Sequence, residues 1–352
     1  MAIIAVPILL DSVAPGQKLS RMEKTTDVYG VGNAIVDTLA FVDDDFIREN
    51  DLQKGGMTLS DSQTQASLLG ALSHKSLELR SGGSAANTMI GIARSGGSGF
   101  YTGKVARDPN GEFYRKDLLD AGIHFDVHPL PESTGPTGTC VVMTTPDAER
   151  TMYTHLGVSV QLSEKDIEPD RIAKSRYVYV EGYLFDGEGP RKACFTALEE
   201  ARKNNAVPTF TFSDPFLVGR YREDLHALVR DYCDVVFMND EEARGFTEME
   251  SLEESARYIG NIVDTAFITN GKKGAIVVHN KEVFEVPGFS VKAIDTNGAG
   301  DSFAAGALFA LARGKTPPEA AKWGNFLASE IVQIHGARLD KDYSGKFQEV
   351  LS

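Results

Sequence analysis

The chain has 352 residues, of which 42% are hydrophobic, 24% charged and 9% aromatic. That length implies one large domain or two unequal ones, with apolar side chains enough for a sizeable core. The formal net charge of −14 argues against a nucleic-acid binder, which needs a basic face, so an anionic ligand must be held by local donors rather than by the overall field.

In chain order, residues 3–10 are apolar but contain Pro7. They are too short to span a bilayer, and no basic residue precedes them, which makes a poor signal peptide. Residues 1–24 read as an N-terminal extension ahead of the folded domain. Strands and helices alternate from Asp27 onward. Residues 28–32 form an apolar strand ending in glycines, and 39–42 and 56–59 are strands flanking an acidic stretch at 43–45. Residues 84–95 are small and apolar at helical spacing. A strand over 98–105 leads into an Asp108-Pro109-Asn110-Gly111 turn.

The next block differs, because 137–144 and 149–155 alternate in polarity around Thr145-Pro146-Asp147-Ala148, a hairpin pattern. The earlier rhythm then returns, with strands at 177–180, 208–212, 234–238, 266–269 and 275–278. Helices fall at 190–203, opened by proline, and at 217–229. Two helices end the chain: 302–313, stopped by Gly314, and one capped by Thr316 with Pro317 in its first turn and Glu319 completing a capping box. Such alternation predicts an α/β protein, a mostly parallel sheet with helices on both faces. Cys140, Cys194 and Cys233 form no CxxC pair and read as buried thiols in a reducing compartment.

The strongest chemical signal is Gly298-Ala299-Gly300-Asp301 opening a long apolar helix. The first helical N–H groups lack intrahelical partners and carry the positive end of the helix dipole, so they can hold an anion. An aspartate in the same turn suits phosphoryl transfer: the amides stabilise the transferring group and the carboxylate takes a proton from the attacking hydroxyl. On this segment alone, a glycine turn with Asp301 as an ordinary helix-start residue reads equally well.

Ser81-Gly82-Gly83-Ser84-Ala85-Ala86-Asn87 is a second glycine turn into a helix. Thr269-Asn270-Gly271-Lys272-Lys273-Gly274 is a third, either meeting phosphates through its N–H groups or serving as a hairpin turn. Asn239-Asp240-Glu241-Glu242 follows a strand end, where ligand sites gather in open α/β sheets. Asn239 and Glu242 there either hold a hydrated Mg²⁺ or begin a capped helix. Two nucleotide motifs are excluded. No G-x-x-x-x-G-K-[ST] occurs, and Gly30-Val31-Gly32 is followed by Ile35 where a dinucleotide fingerprint needs its third glycine.

Taken together, these segments resemble the ribokinase (PfkB) superfamily and, within it, the adenosine-kinase-like nucleoside kinases. The resemblance runs from about 27 to 338. It rests on Gly32-Asn33-Ala34-Ile35-Val36-Asp37, on Gly82-Gly83-Ser84-Ala85-Ala86-Asn87, on Asn239 and Glu242 as an NxxE pair, on Thr269-x-Gly271-x-x-Gly274, and on Asp295-Thr296-Asn297-Gly298-Ala299-Gly300-Asp301. It implies a three-layer α/β/α domain over 25–37, 60–130 and 161–352, with a small β lid over 38–59 and 131–160.

The resemblance also implies roles. Asp301 is similar to the catalytic base, and Gly298, Ala299 and Gly300 resemble the anion hole. Arg150 lies where an arginine approaches the transferring phosphate, with a surface salt bridge as the plainer use. Asp37 resembles the carboxylate that grips two sugar hydroxyls, with Asn33, Gly82, Gly83 and Asn87 around the same pocket. Asn239 and Glu242 resemble a Mg²⁺ site reached through water. Thr269, Gly271, Gly274, Asn297 and Asn325 resemble the ATP side. Asp295 and the segment near Gly336 fall where some members hold a monovalent cation such as K⁺.

The implied reaction is ATP-dependent phosphorylation of the 5′-hydroxyl of a purine nucleoside, adenosine first (adenosine + ATP to AMP + ADP). A ribokinase- or fructokinase-like sugar kinase is the alternative. Leu39, Phe41, Met57 and Leu156 are candidates for holding the base, or else lid core. The expected partner is a small molecule, not nucleic acid or membrane, and the expected form a cytoplasmic monomer or homodimer.

Overall fold

The computed structural model describes residues 23–147 and 149–352. The extension read over 1–24 lies almost wholly outside them. The strands in chain order are β1 (Thr26–Val31), β2 (Ile35–Phe41), β3 (Met57–Leu59), β4 (Glu78–Gly82), β5 (Gly99–Thr102), β6 (Ile123–His124), β7 (Gly138–Thr144), β8 (Arg150–His155), β9 (Ser175–Glu181), β10 (Val207–Thr211), β11 (Val235–Asn239), β12 (Thr265–Thr269), β13 (Gly274–His279) and β14 (Glu282–Pro287).

Nine of them make one sheet, ordered β14-β13-β12-β11-β10-β9-β1-β5-β6. Strands β12, β11, β10, β9, β1, β5 and β6 pair in parallel, and β13 and β14 then fold back antiparallel. Strand β1 illustrates the cause. Val28 enters the core on one face, while Tyr29 and Val31 enter it on the other. A sheet covered on both faces needs such a continuous apolar run.

Helices Ser84–Arg94, Ala299–Ala312 and Pro317–Ile331 bury their apolar sides on one face. Helices Glu188–Lys203, Pro215–Tyr232 and Leu252–Ile259 do so on the other. The expected three-layer α/β/α architecture is therefore the observed one. Among the described residues no helix is long and apolar enough to cross a membrane, and all three cysteines are buried and free.

The helix that begins at Ala299 is anchored by close packing. A side chain at Gly306 would lie 2.8 Å from Gly324 Cα of the neighbouring helix. Gly306→Val forces these backbones apart, at a cost of about 3 kcal/mol. The expected result is a lower Tm, and a Tm equal to that of wild type would show that the two helices are not in contact.

The remaining five strands form a second sheet, ordered β3-β8-β7-β2-β4. Its β7–β8 pair is the antiparallel hairpin seen in the sequence. Helices Asp44–Glu49 and Ser62–Ala71 cover one face through Phe46, Ile47 and Leu68. The other face presents Ile35, Cys140 and Val142.

The structure departs from the sequence pattern at several points. The segment Asp108-Pro109-Asn110-Gly111 is not a free turn but the start of helix Pro109–Asp120, with Asp108 Oδ1 accepting from Gly111 N at 2.7 Å. An aspartate N-cap followed by proline carries the same signature as a turn. Strand β14 was not anticipated; it is a solvent-facing edge strand whose polar residues mute the apolar pattern.

Candidate active site

The parallel strands β1, β9, β10, β11 and β12 all end on one side of the sheet. Asn33, Glu181, Thr211, Asn239 and Thr269 stand at or just beyond those ends and line a single cavity of about 580 Å³. Carboxyl ends of strands are where open α/β sheets bind ligands, because the backbone leaves the sheet there and its polar groups turn outward. The inner face of the small sheet supplies the opposite wall through Ile35, Asp37, Cys140, Met152 and Thr154.

Gly298 begins the catalytic-looking turn at φ +72°, and a side chain there would overlap Ala337. Only glycine meets both demands cheaply. The helix has no side-chain cap, and the N–H groups of Gly300 and Asp301 have no acceptor among the described residues. They remain available to an anion. Asp301 is half-buried beside them. Its Oδ1 accepts from Ser84 Oγ at 2.7 Å and its Oδ2 from Asn87 Nδ2 at 3.0 Å. Burial raises its pKa, opposed by these two hydrogen bonds and by the charge of Arg150.

The second glycine turn fixes those donors. Gly83 has φ +94°, and any side chain would overlap the Asn33 carbonyl. Helix Ser84–Arg94 starts immediately after it, aiming Ser84 and Asn87 at Asp301. Asn87 Oδ1 is buried with no hydrogen-bond partner among the described residues, so a donor from a ligand would relieve it.

Asp37 faces the same cavity from β2. It is buried, and its carboxylate accepts no hydrogen bond among the described residues. Burial pushes its pKa up to about 7; the Arg338 charge opposes this and the Asp301 charge adds to it. Gly82 lies behind it, where any side chain would overlap the Asp37 carboxylate.

Glu181 was not singled out in the sequence. Fully buried at the end of β9, it accepts from Asn33 N and Ala85 N, both at 2.7 Å. It ties the β1–β2 turn to the Ser84 helix. Burial pushes it to about 7 against those two hydrogen bonds. Phe216 was also missed. It opens helix Pro215–Tyr232 with 60% of its surface exposed, at the cavity edge beside Gly56. A lone aromatic after Pro in a helix start gives no pattern to find it by.

Arg150 reaches across from β8, its Nη1 donating to Asn297 Oδ1 at 2.6 Å. It therefore spans the cavity instead of forming a surface salt bridge. Asn239 and Glu242 cap the helix Asp240–Thr247 reciprocally, each backbone N–H donating to the other's side chain at 2.8 Å. Both also line the cavity. Burial, with Asp214, Glu241 and Asp240 nearby, raises Glu242 to about 8.

Other expected site residues lie outside the cavity lining. Gly271 and Gly274 shape the β12–β13 turn, and Asn325 donates to the carbonyls of Val286 and Pro287, which pins β14. Of the candidate base contacts, Met57 and Leu156 line the cavity while Leu39 and Phe41 do not. Phe41 instead packs edge-on against His335 at 4.4 Å.

The model of the pfkB family of carbohydrate kinases matches residues 69–342. Adenosine kinase 2 of Arabidopsis thaliana is 29% identical, covering 87% of this chain and 94% of its own. The crystal structure of adenosine kinase from Sinorhizobium meliloti is 36% identical with a TM-score of 0.87, covering 92% of this chain and 99% of that one. A probable sugar kinase protein from Rhizobium etli CFN 42 is 33% identical with a TM-score of 0.88, covering 94% and 100%. With the family model covering most of its length, and with near-complete overlap at over 30% identity, this chain belongs to the pfkB family of carbohydrate kinases and is an adenosine-kinase-like kinase of nucleosides or sugars.

Proposed function

We propose that this kinase transfers the γ-phosphoryl group of ATP to the 5′-hydroxyl of adenosine, giving AMP and ADP. The observation that carries the reading is one cavity holding two unlike carboxylates. Asp301 is gripped by Ser84 and Asn87 beside helix N–H groups that, like the Asp37 carboxylate, have no hydrogen-bond partner among the described residues. Asp301 takes the proton of the acceptor hydroxyl as its oxygen bonds to the γ-phosphorus and the bond to the β-bridging oxygen breaks. The N–H groups at Gly300 and Asp301, with Arg150, stabilise charge on the moving phosphoryl. Asp37 accepts from two ribose hydroxyls, with Asn33 and Asn87 beside them.

The base end is supported by apolar walls. Phe216, Met57, Met152 and Leu156 border the cavity and suit a flat heteroaromatic ring. A phosphorylated acceptor fits less well. Asp37, Glu149 and Asp301 all line the space, and Lys54 is already held by Asp44 and Asp147. The names of the Arabidopsis and Sinorhizobium relatives agree with a nucleoside acceptor.

Mg²⁺ belongs to the reading as the ion that neutralises ATP phosphates when bound. Among the described residues no group of three His, Cys, Asp or Glu could hold a metal, so Asn239 and Glu242 would hold it through waters. Both Asp295 oxygens accept backbone N–H groups, from Asn297 and Gly336, and no step of the reading needs a monovalent cation.

The second reading, a sugar kinase, is favoured by the Rhizobium relative. ADP release measured with adenosine, inosine, guanosine, cytidine, ribose, fructose and fructose phosphates separates the two. Adenosine is expected to give the highest kcat/KM, by about tenfold or more over free sugars. A free sugar in first place would overturn the adenosine reading and leave the kinase.

A further inference from the structure

The segment Gly336-Ala337-Arg338 touches both halves of the site. Gly336 N donates to Asp295 Oδ2 at 2.9 Å, and Asp295 Oδ1 accepts from Asn297 N. Ala337 fills the space beside Gly298. Arg338, only 9% exposed, then turns the other way. Its Nη1 donates to Ser81 Oγ at 2.5 Å, to Ser81 O, and to Asp117 Oδ2. Ser81 lies opposite Val36 in the β2–β4 pair, and the next residue, Gly82, abuts the Asp37 carboxylate. Three consecutive residues thus connect the anion-hole turn to the strand pair that carries Asp37.

The charge environment of Asp37 adds a second reason. Arg80 stands across from Asp37 in the β2–β4 register, but it is ion-paired with Glu78 at the surface. Cys140 is its neighbour on β7. Asp301 faces it from the long apolar helix, Glu181 shares the cavity but is turned to Asn33 and Ala85, and Tyr114 and Asp117 lie on the helix behind. Arg338 is the buried cation among these groups. Asp117 does not exhaust it, because Nε and Nη2 make no hydrogen bond among the described residues.

We infer that Arg338 is a positioning residue for the acceptor: it holds the Ser81–Gly82 backbone against Asp37 and places its buried positive charge near that carboxylate. The inference rests on the proposed role of Asp37, and it does not require the acceptor to be adenosine.

The test compares Arg338→Gln, Arg338→Lys and Asp37→Asn, singly and combined, using whichever neutral acceptor the wild type phosphorylates best. Wild-type turnover of adenosine reports on the acceptor reading, and variant-to-wild-type ratios report on Arg338. Arg338→Gln is expected to lower acceptor kcat/KM about tenfold near pH 6.5 while the KM for ATP stays within about twofold. Losing the cation raises the Asp37 pKa, so the deficit should shrink as pH rises and nearly vanish by about pH 9. Arg338→Lys keeps the charge and should retain most of the low-pH activity. In the Asp37→Asn background, Arg338→Gln should cost almost nothing further. A loss of equal size at every pH, or an undiminished loss in that background, would overturn the inference and leave Arg338 as a packing residue. So would wild-type activity in Arg338→Gln. A Tm on each variant separates misfolding from these outcomes.

Discussion

Asp301→Asn is expected to lower kcat by roughly 10²- to 10⁴-fold while leaving the acceptor KM within a few-fold of wild type. The substitution keeps the shape of the side chain and can still meet Ser84 and Asn87, which approach its two terminal atoms at 2.7 and 3.0 Å. What it removes is the capacity to accept the acceptor's proton as the new P–O bond forms. Folding should not suffer. Burial already disfavours the charged form, so a neutral amide removes a desolvation cost and the Tm should hold or rise. Single-turnover kinetics with saturating ATP and acceptor isolate the chemical step. A variant retaining more than about one-tenth of wild-type kcat would mean that the proton leaves by another route.

Asp37→Asn should act on the other end of the reaction, and its effect should depend on pH. Two hydrogen bonds from substrate hydroxyls to a buried carboxylate contribute about 3 kcal/mol together, equivalent to roughly 10²-fold in acceptor kcat/KM. The sign follows from the direction of the shift. Burial raises Asp37 to about 7, so the useful ionised form is scarce below that pH and complete above it. The ratio of wild type to variant should therefore grow from about pH 6 to about pH 8 and then level. Taking the ratio matters, because Glu181 is also pushed to about 7 and contributes to the raw profile of both proteins. A ratio that stays flat across this range would remove Asp37 from the proposed role.

Much of this site is legible in the chain because its parts are local. Gly298-Ala299-Gly300-Asp301 is one turn of backbone, and the N–H groups, the aspartate and the left-handed glycine lie within four residues. Asn239 and Glu242 were ambiguous between a capped helix and a cation site. The fold makes the cap while also leaving both at the cavity, since capping consumes one acceptor position of a carboxylate that has several.

The candidate residues that stand away from the cavity lining share a cause. Leu39 and Phe41 alternate with Ile35 and Asp37 on the same strand face. Yet Leu39 lies against Gly336 and Phe41 against His335, because the C-terminal segment crosses that end of β2. Asn325 is polar and late in a helix, but its amide satisfies β14 carbonyls that no periodicity announces.

The amino-acid sequence by itself determined the layered α/β architecture, the hairpin of the second sheet and the glycine turn that opens the helix at Ala299, because hydrophobic period and glycine chemistry act over a few residues. Only the tertiary structure decided that Glu181 joins two loops, that Phe216 borders the cavity, and that Arg338 stands behind Asp37. Those pairings span long stretches of chain. They depend on burial, which lowers the local dielectric, and an isolated charge in an apolar run carries no mark of the partner that folding will bring to it.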